Sequence, residues 1–313
     1  MAESSTGPIE GPRPCIFFLH GITEHCRLYD HVAAFFGSKG YDMFAFDYQG
    51  HGRSEGTRLY IDKFDDLIND ARDMYDFVDS WEPFLAEKSD TDFDADPQMG
   101  TEYTKDTKDT KDTRNTRAAI PSEIVIMGHS LGGLIALLMD KPGKKVLSAP
   151  ALGSSGTWYK YLNLLNCIPV PKHMGIVNLR PEQLTDDARL QELMTDDPLQ
   201  INRTLPWNTI REIINASMQV SATGLLSSSI YIFHGMEDKV INIANSQYFF
   251  QSCQNNNVRA SLVQIPNKPH DFLMNKFEIG EKSETLSPMP LDEILELMYE
   301  QISKPSNYMR SFY

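Results

Sequence analysis

Three side chains in this 313-residue sequence have the types and the chain order for nucleophilic attack on a carbonyl: Ser130, Asp238 and His270. Ser130 sits in Gly128-His129-Ser130-Leu131-Gly132, where glycines flank a turn too sharp for a Cβ. A serine hydroxyl is a weak nucleophile until a base takes its proton, and an imidazole does this best when a carboxylate fixes its tautomer. His270 reads as that base and Asp238 as that carboxylate. Glu237 is the second choice of acid, one residue nearer the preceding strand and therefore pointing differently. The oxyanion formed by attack needs N–H donors aimed at it. The Leu131 amide, at the start of a helix, supplies one together with the helix dipole. The Ile22 amide in His20-Gly21-Ile22-Thr23-Glu24-His25 is the natural second, while the His20 side chain itself reads as a packed, structural imidazole.

These residues need elements that bring them to one place. Ile124-Val-Ile-Met127 is a β-favouring run that enters the serine turn, and Leu131, Leu134, Ile135 and Leu138 leave it at helical spacing. A continuous apolar run of the kind buried on both faces occurs at Cys15–Leu19, and further strands read at Asp42–Asp47, Lys145–Ala149, Ser229–Phe233 and Ala260–Ile265. Helical patterns lie between them: Tyr29 to Phe36, Asp62 to Trp81, Asn242 to Cys253 and Leu291 to Ile302. The helix after Ser130 is expected to run as far as Lys141-Pro142-Gly143, where proline stops it. Six strands alternating with helices predict an α/β fold with a doubly wound, mostly parallel sheet and right-handed crossovers. Ser130, Asp238 and His270 then follow the carboxyl ends of the third, fifth and sixth strands, where open α/β sheets bind ligands.

The remaining chemistry-bearing groups read as structural. Asp47-Tyr-Gln-Gly50-His51-Gly52-Arg53-Ser54-Glu55-Gly56 is rich in glycine and charge, yet it matches no nucleotide-binding loop and is expected to be a structured turn. Asp65, Asp66, Asp70 and Asp73 fall off the apolar face of their helix and read as solvated. The cysteines, Cys15, Cys26, Cys167 and Cys253, lack metal-ligand spacing and read as reduced thiols. No metal or cofactor site is expected. A net charge of −14 opposes nucleic-acid partners and strongly anionic membrane faces. The amino terminus lacks signal-peptide features and no apolar run approaches a membrane span, so a cytoplasmic protein is expected and the sequons at Asn202 and Asn215 should go unused.

The domain plan follows. Residues 15–313 form one α/β domain behind a flexible tail at 1–14. A polar insertion at 87–118, with a threefold Lys-Asp-Thr repeat over Lys105–Thr113, is expected to be disordered. Residues 151–226 carry no strand signal and are expected to form a helical cap inserted between two strands. Trp158, Tyr161, Leu162 and Leu165 fall at i, i+3, i+4 and i+7, an apolar stripe placed to select substrate.

The chain order Ser…Asp…His is that of α/β-hydrolases. His20-Gly-Ile-Thr-Glu-His25, Tyr29-Asp30-His31-Val32 and Phe46-Asp-Tyr-Gln-Gly-His-Gly-Arg-Ser-Glu-Gly56 resemble the monoacylglycerol lipase and lysophospholipase branch, also called serine aminopeptidase-like. Gly128-His-Ser-Leu-Gly-Gly133, His234-Gly-Met-Glu-Asp238 and His270 are similar to its triad motifs, so the resemblance spans about residues 15–275. The Lys-Asp-Thr insertion and the short Ser130–Ser148 segment depart from the branch's pattern. The resemblance implies a cofactor-free serine hydrolase with a helical cap. Its substrates would be monoacylglycerols, lysophospholipids or related acyl esters, with the Ile22 and Leu131 amides as oxyanion hole and peripheral membrane contact through the cap. A broader carboxylesterase, thioesterase or acyltransferase fits the same residues, as does a catalytically silent binding protein. Epoxide hydrolysis is disfavoured because it needs a carboxylate at position 130. Oligomeric state has no signature in the sequence.

Overall fold

The computed structural model describes residues 13–80, 123–153, 170–200, 204–276 and 289–303. The expected 87–118 insertion, the Trp158–Leu165 stripe, Cys167 and most of the tail at 1–14 lie outside them. Six parallel strands form one sheet: Cys15–Leu19 (β1), Asp42–Ala45 (β2), Ile124–His129 (β3), Gly143–Ser148 (β4), Ser228–Gly235 (β7) and Arg259–Ile265 (β8), ordered β2-β1-β3-β4-β7-β8. β1, β3 and β7 are buried at every residue, which is why they read as unbroken apolar runs rather than alternating ones. β2 and β8 are the edges and are only partly covered.

Alternate residues of the strands face two separate cores. Phe17, Leu19, Ile126, Leu147, Ile230 and Ile232 pack on one side. Their partners there are helices Phe64–Ser80 (α2), Leu131–Leu138 (α3) and Ile243–Asn255 (α7). Ile16, Phe18, Val125, Met127, Val146 and Phe233 pack on the other, against Asp30–Ser38 (α1) and Leu291–Ser303 (α8). The period of two sorts side chains between the layers, and helices on both faces make the doubly wound fold expected.

Three details differ from the sequence reading. α3 ends at Leu138 rather than near Pro142, because Asp140 takes a left-handed turn (φ 54°) before the proline is reached. The strand after it starts two residues early, at Gly143. The interval 151–226 also contains strands: Gly175–Asn178 (β5) pairs antiparallel with Thr204–Pro206 (β6). Around the pair lie helices Pro181–Leu184 (α4), Ala188–Asp196 (α5) and Trp207–Ser217 (α6). Among the described residues no helix is long and apolar enough to cross a membrane.

Candidate active site

The turn between β3 and α3 is as tight as its glycines imply. A Cβ on Gly128 would stand 2.5 Å from the Gly132 carbonyl oxygen, and one on Gly132 only 2.0 Å from the Leu19 carbonyl oxygen of β1. Close passage of α3 over the sheet therefore requires both glycines. Ser130 between them is forced to φ 50° and ψ −114°, a left-handed conformation that costs a non-glycine residue about 1–3 kcal/mol. Its amide donates to the Ser148 carbonyl at 2.9 Å, and its carbonyl accepts from Ala151 N at 2.9 Å and Leu134 N at 3.2 Å. The surrounding backbone thus pins the strained residue on three sides.

Ser130, His270 and Asp238 converge from three different strand ends. His270 Nε2 lies 3.0 Å from Ser130 Oγ, and His270 Nδ1 lies 2.6 Å from Asp238 Oδ2. Asp238 is fixed further: its Oδ1 accepts from the amides of Val240 and Ile241, each at 2.8 Å. His234 Nε2 approaches its Oδ2 at 3.0 Å, while His234 Nδ1 faces Ser246 Oγ at 2.8 Å. Glu237 points to solvent and takes no part. The choice between the two acids follows from the turn after β7, which sends successive side chains in different directions.

Burial and charge oppose each other here. Burial alone would raise the Asp238 carboxyl, but the His270 charge and the bonds from His234, His270 and Ile241 hold it well below the usual carboxylate range. Burial alone would lower His270. The Asp238 charge and hydrogen bond, with smaller contributions from Asp271 and Glu24, outweigh it and raise the imidazole to about 9. Chemically, this line can move a proton from a hydroxyl to an imidazole and stabilise the resulting imidazolium.

The Leu131 amide opens α3, so no carbonyl one turn back can accept from it. Ile22 follows β1 across the cleft, in a loop held by His20 and Asp47. His20 is fully buried, packs against the Tyr48 ring at a tilt with centroids 4.1 Å apart and receives the Tyr48 amide at Nε2. Burial lowers it to about 3, keeping it neutral. Asp47 accepts from the amides of Cys26 and Arg53, both at 2.8 Å, which makes the Asp47–Gly56 loop a structured turn. Among the described residues, only His129, His270 and Asp271 bring three ligand-type atoms within 4.8 Å. Those atoms are held by one another and by Ser130, Asp238 and Ser148, the pattern of a hydrogen-bond network.

The interval 151–226 reaches this site. Val177 and Leu179 from the β5 segment, Leu205 of β6 and Ile210 of α6 cluster with Leu59 and with Ile22 itself. The Leu184 carbonyl accepts from the Asp271 amide at 3.0 Å, beside His270, and Asp197 pairs with His25 at 2.9 Å. Sequence reading passed over Val177, Leu179 and Leu205, although Gly175-Ile-Val-Asn-Leu179 carries a short apolar signal.

Known proteins share this architecture. Among solved structures, Paleococcus ferrophilus monoacylglycerol lipase superposes with a TM-score of 0.61 at 18% identity, over 93% of this chain and 96% of that one. A thermostable carboxyl esterase from Bacillus coagulans superposes with a TM-score of 0.66 at 17% identity, over 95% and 91%. By sequence, a monoacylglycerol lipase of Mycolicibacterium smegmatis is 24% identical over 77% of this chain and 75% of its own length. The monoglyceride lipase of Mus musculus is 26% identical over 78% and 72%. The family model described as serine aminopeptidase, S33 matches residues 10–85 and 96–276, most of the chain including all three convergent residues. The chain therefore belongs to the serine aminopeptidase, S33 family and is a serine hydrolase of the α/β-hydrolase superfamily.

Proposed function

We propose that this enzyme cleaves single-chain acyl esters, monoacylglycerols or lysophospholipids, through an acyl-enzyme on Ser130. The observation that carries the reading is the hydrogen-bonded line Ser130–His270–Asp238 at the carboxyl ends of β3, β7 and β8. In this mechanism Ser130 Oγ attacks the ester carbonyl as its proton passes to His270 Nε2. The Ile22 and Leu131 amides receive the oxyanion. Collapse expels the alcohol, which takes the proton back from His270, and water then repeats the sequence to release the fatty acid. Every proton is handled by side chains of this chain, and no cofactor is required.

The substrate class rests on relatives named as monoacylglycerol lipases and on the apolar residues gathered beside Ile22. Val177, Leu179, Leu205 and Ile210 gather with Ile22 into an apolar cluster, and the helical spacing of Trp158, Tyr161, Leu162 and Leu165 in the sequence supports an acyl-chain guide in the same inserted interval. Met174 and Ile176 are 53% and 41% exposed there, an apolar edge suited to peripheral contact with a lipid surface. A fluorophosphonate probe should label the wild-type protein at Ser130. Ser130→Ala should abolish labelling and lower kcat on a monoacylglycerol by roughly 10⁶-fold. Labelling that survives the substitution overturns the assignment of the nucleophile.

A further inference from the structure

Behind the Ser130–His270–Asp238 line lies a second set of buried ionisable groups. Glu24 follows Ile22 by two residues, His129 immediately precedes Ser130, and Asp271 immediately follows His270. The sheet brings all three together. His129 Nε2 lies 3.1 Å from Asp271 Oδ1 and 3.6 Å from Glu24 Oε1, and its Nδ1 lies 3.1 Å from Ser148 Oγ. Glu24 Oε2 accepts from the Gly21 amide at 2.5 Å and from the Tyr29 hydroxyl at 2.8 Å. Asp271 is fully buried, its Oδ2 has no hydrogen-bond partner among the described residues, and its Oδ1 stands 3.9 Å from His270 Nε2, the nitrogen that faces Ser130.

Two buried carboxylates facing one imidazole N–H cannot both be charged at low cost. The fields acting on the pair come from every element around it: His129 on β3, His270 and Asp238 on the loops after β8 and β7, and Tyr29 after β1. Burial pushes both Glu24 and Asp271 up to about 7, and it lowers His129 to about 4, so the imidazole between them stays neutral.

We propose that Glu24, His129 and Asp271 form a positioning network carrying a single negative charge, shared between the two carboxylates about the His129 N–H, and that Asp271 is thereby a positioning residue for His270. The network ties together the loop bearing Ile22, the residue before the nucleophile and the residue after the base. As His270 takes the Ser130 proton, the shared charge adds to that of Asp238 in holding the imidazolium. The inference rests on the reading of His270 as general base.

The test is an NMR titration of the histidine ring nitrogens, which needs no turnover, run beside the pH profile of kcat/KM. Asp271→Asn should lower the His270 midpoint by up to about one pH unit, because the shared charge then withdraws to Glu24 on the far side of His129. The acid limb of kcat/KM should move with it. Glu24→Gln, which leaves the shared charge on Asp271 beside His270, should instead raise the midpoint, and it reads the same coupling from the far side of His129 if Asp271→Asn does not fold. An unchanged His270 midpoint in a folded variant overturns the proposal, as does a lower melting temperature with an unmoved acid limb. Failure of Ser130 labelling instead overturns the hydrolase assignment, and the titration remains readable.

Discussion

His234 backs Asp238: its Nε2 lies 3.0 Å from Asp238 Oδ2, the same oxygen that faces His270 Nδ1. With two backbone amides on the other carboxylate oxygen, Asp238 cannot rotate without breaking several bonds together. In the proposed mechanism it acts by orientation as much as by charge. Asp238→Asn keeps the shape but turns an acceptor into a possible donor toward His270, favouring the wrong tautomer. Its kcat should fall by about 10⁴-fold with the melting temperature nearly unchanged. A loss below tenfold would remove Asp238 from the mechanism.

The raised imidazole sets a pH dependence. Only neutral His270 can accept the Ser130 proton, and Asp238 holds it protonated up to about 9. kcat/KM in the free enzyme should therefore climb through neutral pH and level off only above about 9. Asp238 works the other way on stability. Its folded value is depressed, so its contribution is complete above the unfolded value near 4 and disappears as pH falls below it. A kcat/KM plateau reached already at pH 6 would contradict the assigned electrostatics.

The nucleophile turn gives a packing prediction. Gly132→Ala places a methyl group 2.0 Å from the Leu19 carbonyl oxygen, and backbone on both sides leaves no flexible atom to yield. The melting temperature should drop by an amount equivalent to at least about 1–3 kcal/mol, and probe labelling should be lost. A variant as stable and reactive as wild type would mean that α3 does not pass this close to β1.

Acyl selectivity tests the inserted interval. An acyl chain buried against apolar side chains gains at most about 0.8 kcal/mol per CH₂, roughly fourfold in kcat/KM. Acetyl, octanoyl and oleoyl glycerol esters should be turned over with increasing kcat/KM, and Leu162→Ser should flatten the series without unfolding the protein. A wild type that prefers acetyl would favour a small-ester esterase. A folded Leu162→Ser with an unchanged series would exclude this residue from the acyl site.

The strands were legible because a parallel sheet covered on both faces leaves continuous apolar runs, as at Cys15–Leu19 and Ser229–Phe233. The turn at Ser130 was legible because sterics leave few sequences able to make it. The β5 and β6 pair was not: four residues and three residues, more than twenty positions apart, give no period to read. Asp271 was also passed over. Its contact with His129 spans 142 positions, and neither residue signals the other until the sheet juxtaposes them. Asp238 could be chosen over Glu237 only as a geometric expectation, since both are acidic and adjacent. The turn after β7 supplies the distinction.

The conformation of Ser130 has a consequence for substitution at this position. A side chain held at φ 50° is a standing cost that glycine would not incur. Glycine here would relieve the backbone cost but forfeit the buried 3.0 Å contact between Ser130 Oγ and His270 Nε2. The serine thus trades backbone ease for a hydroxyl that faces an imidazole.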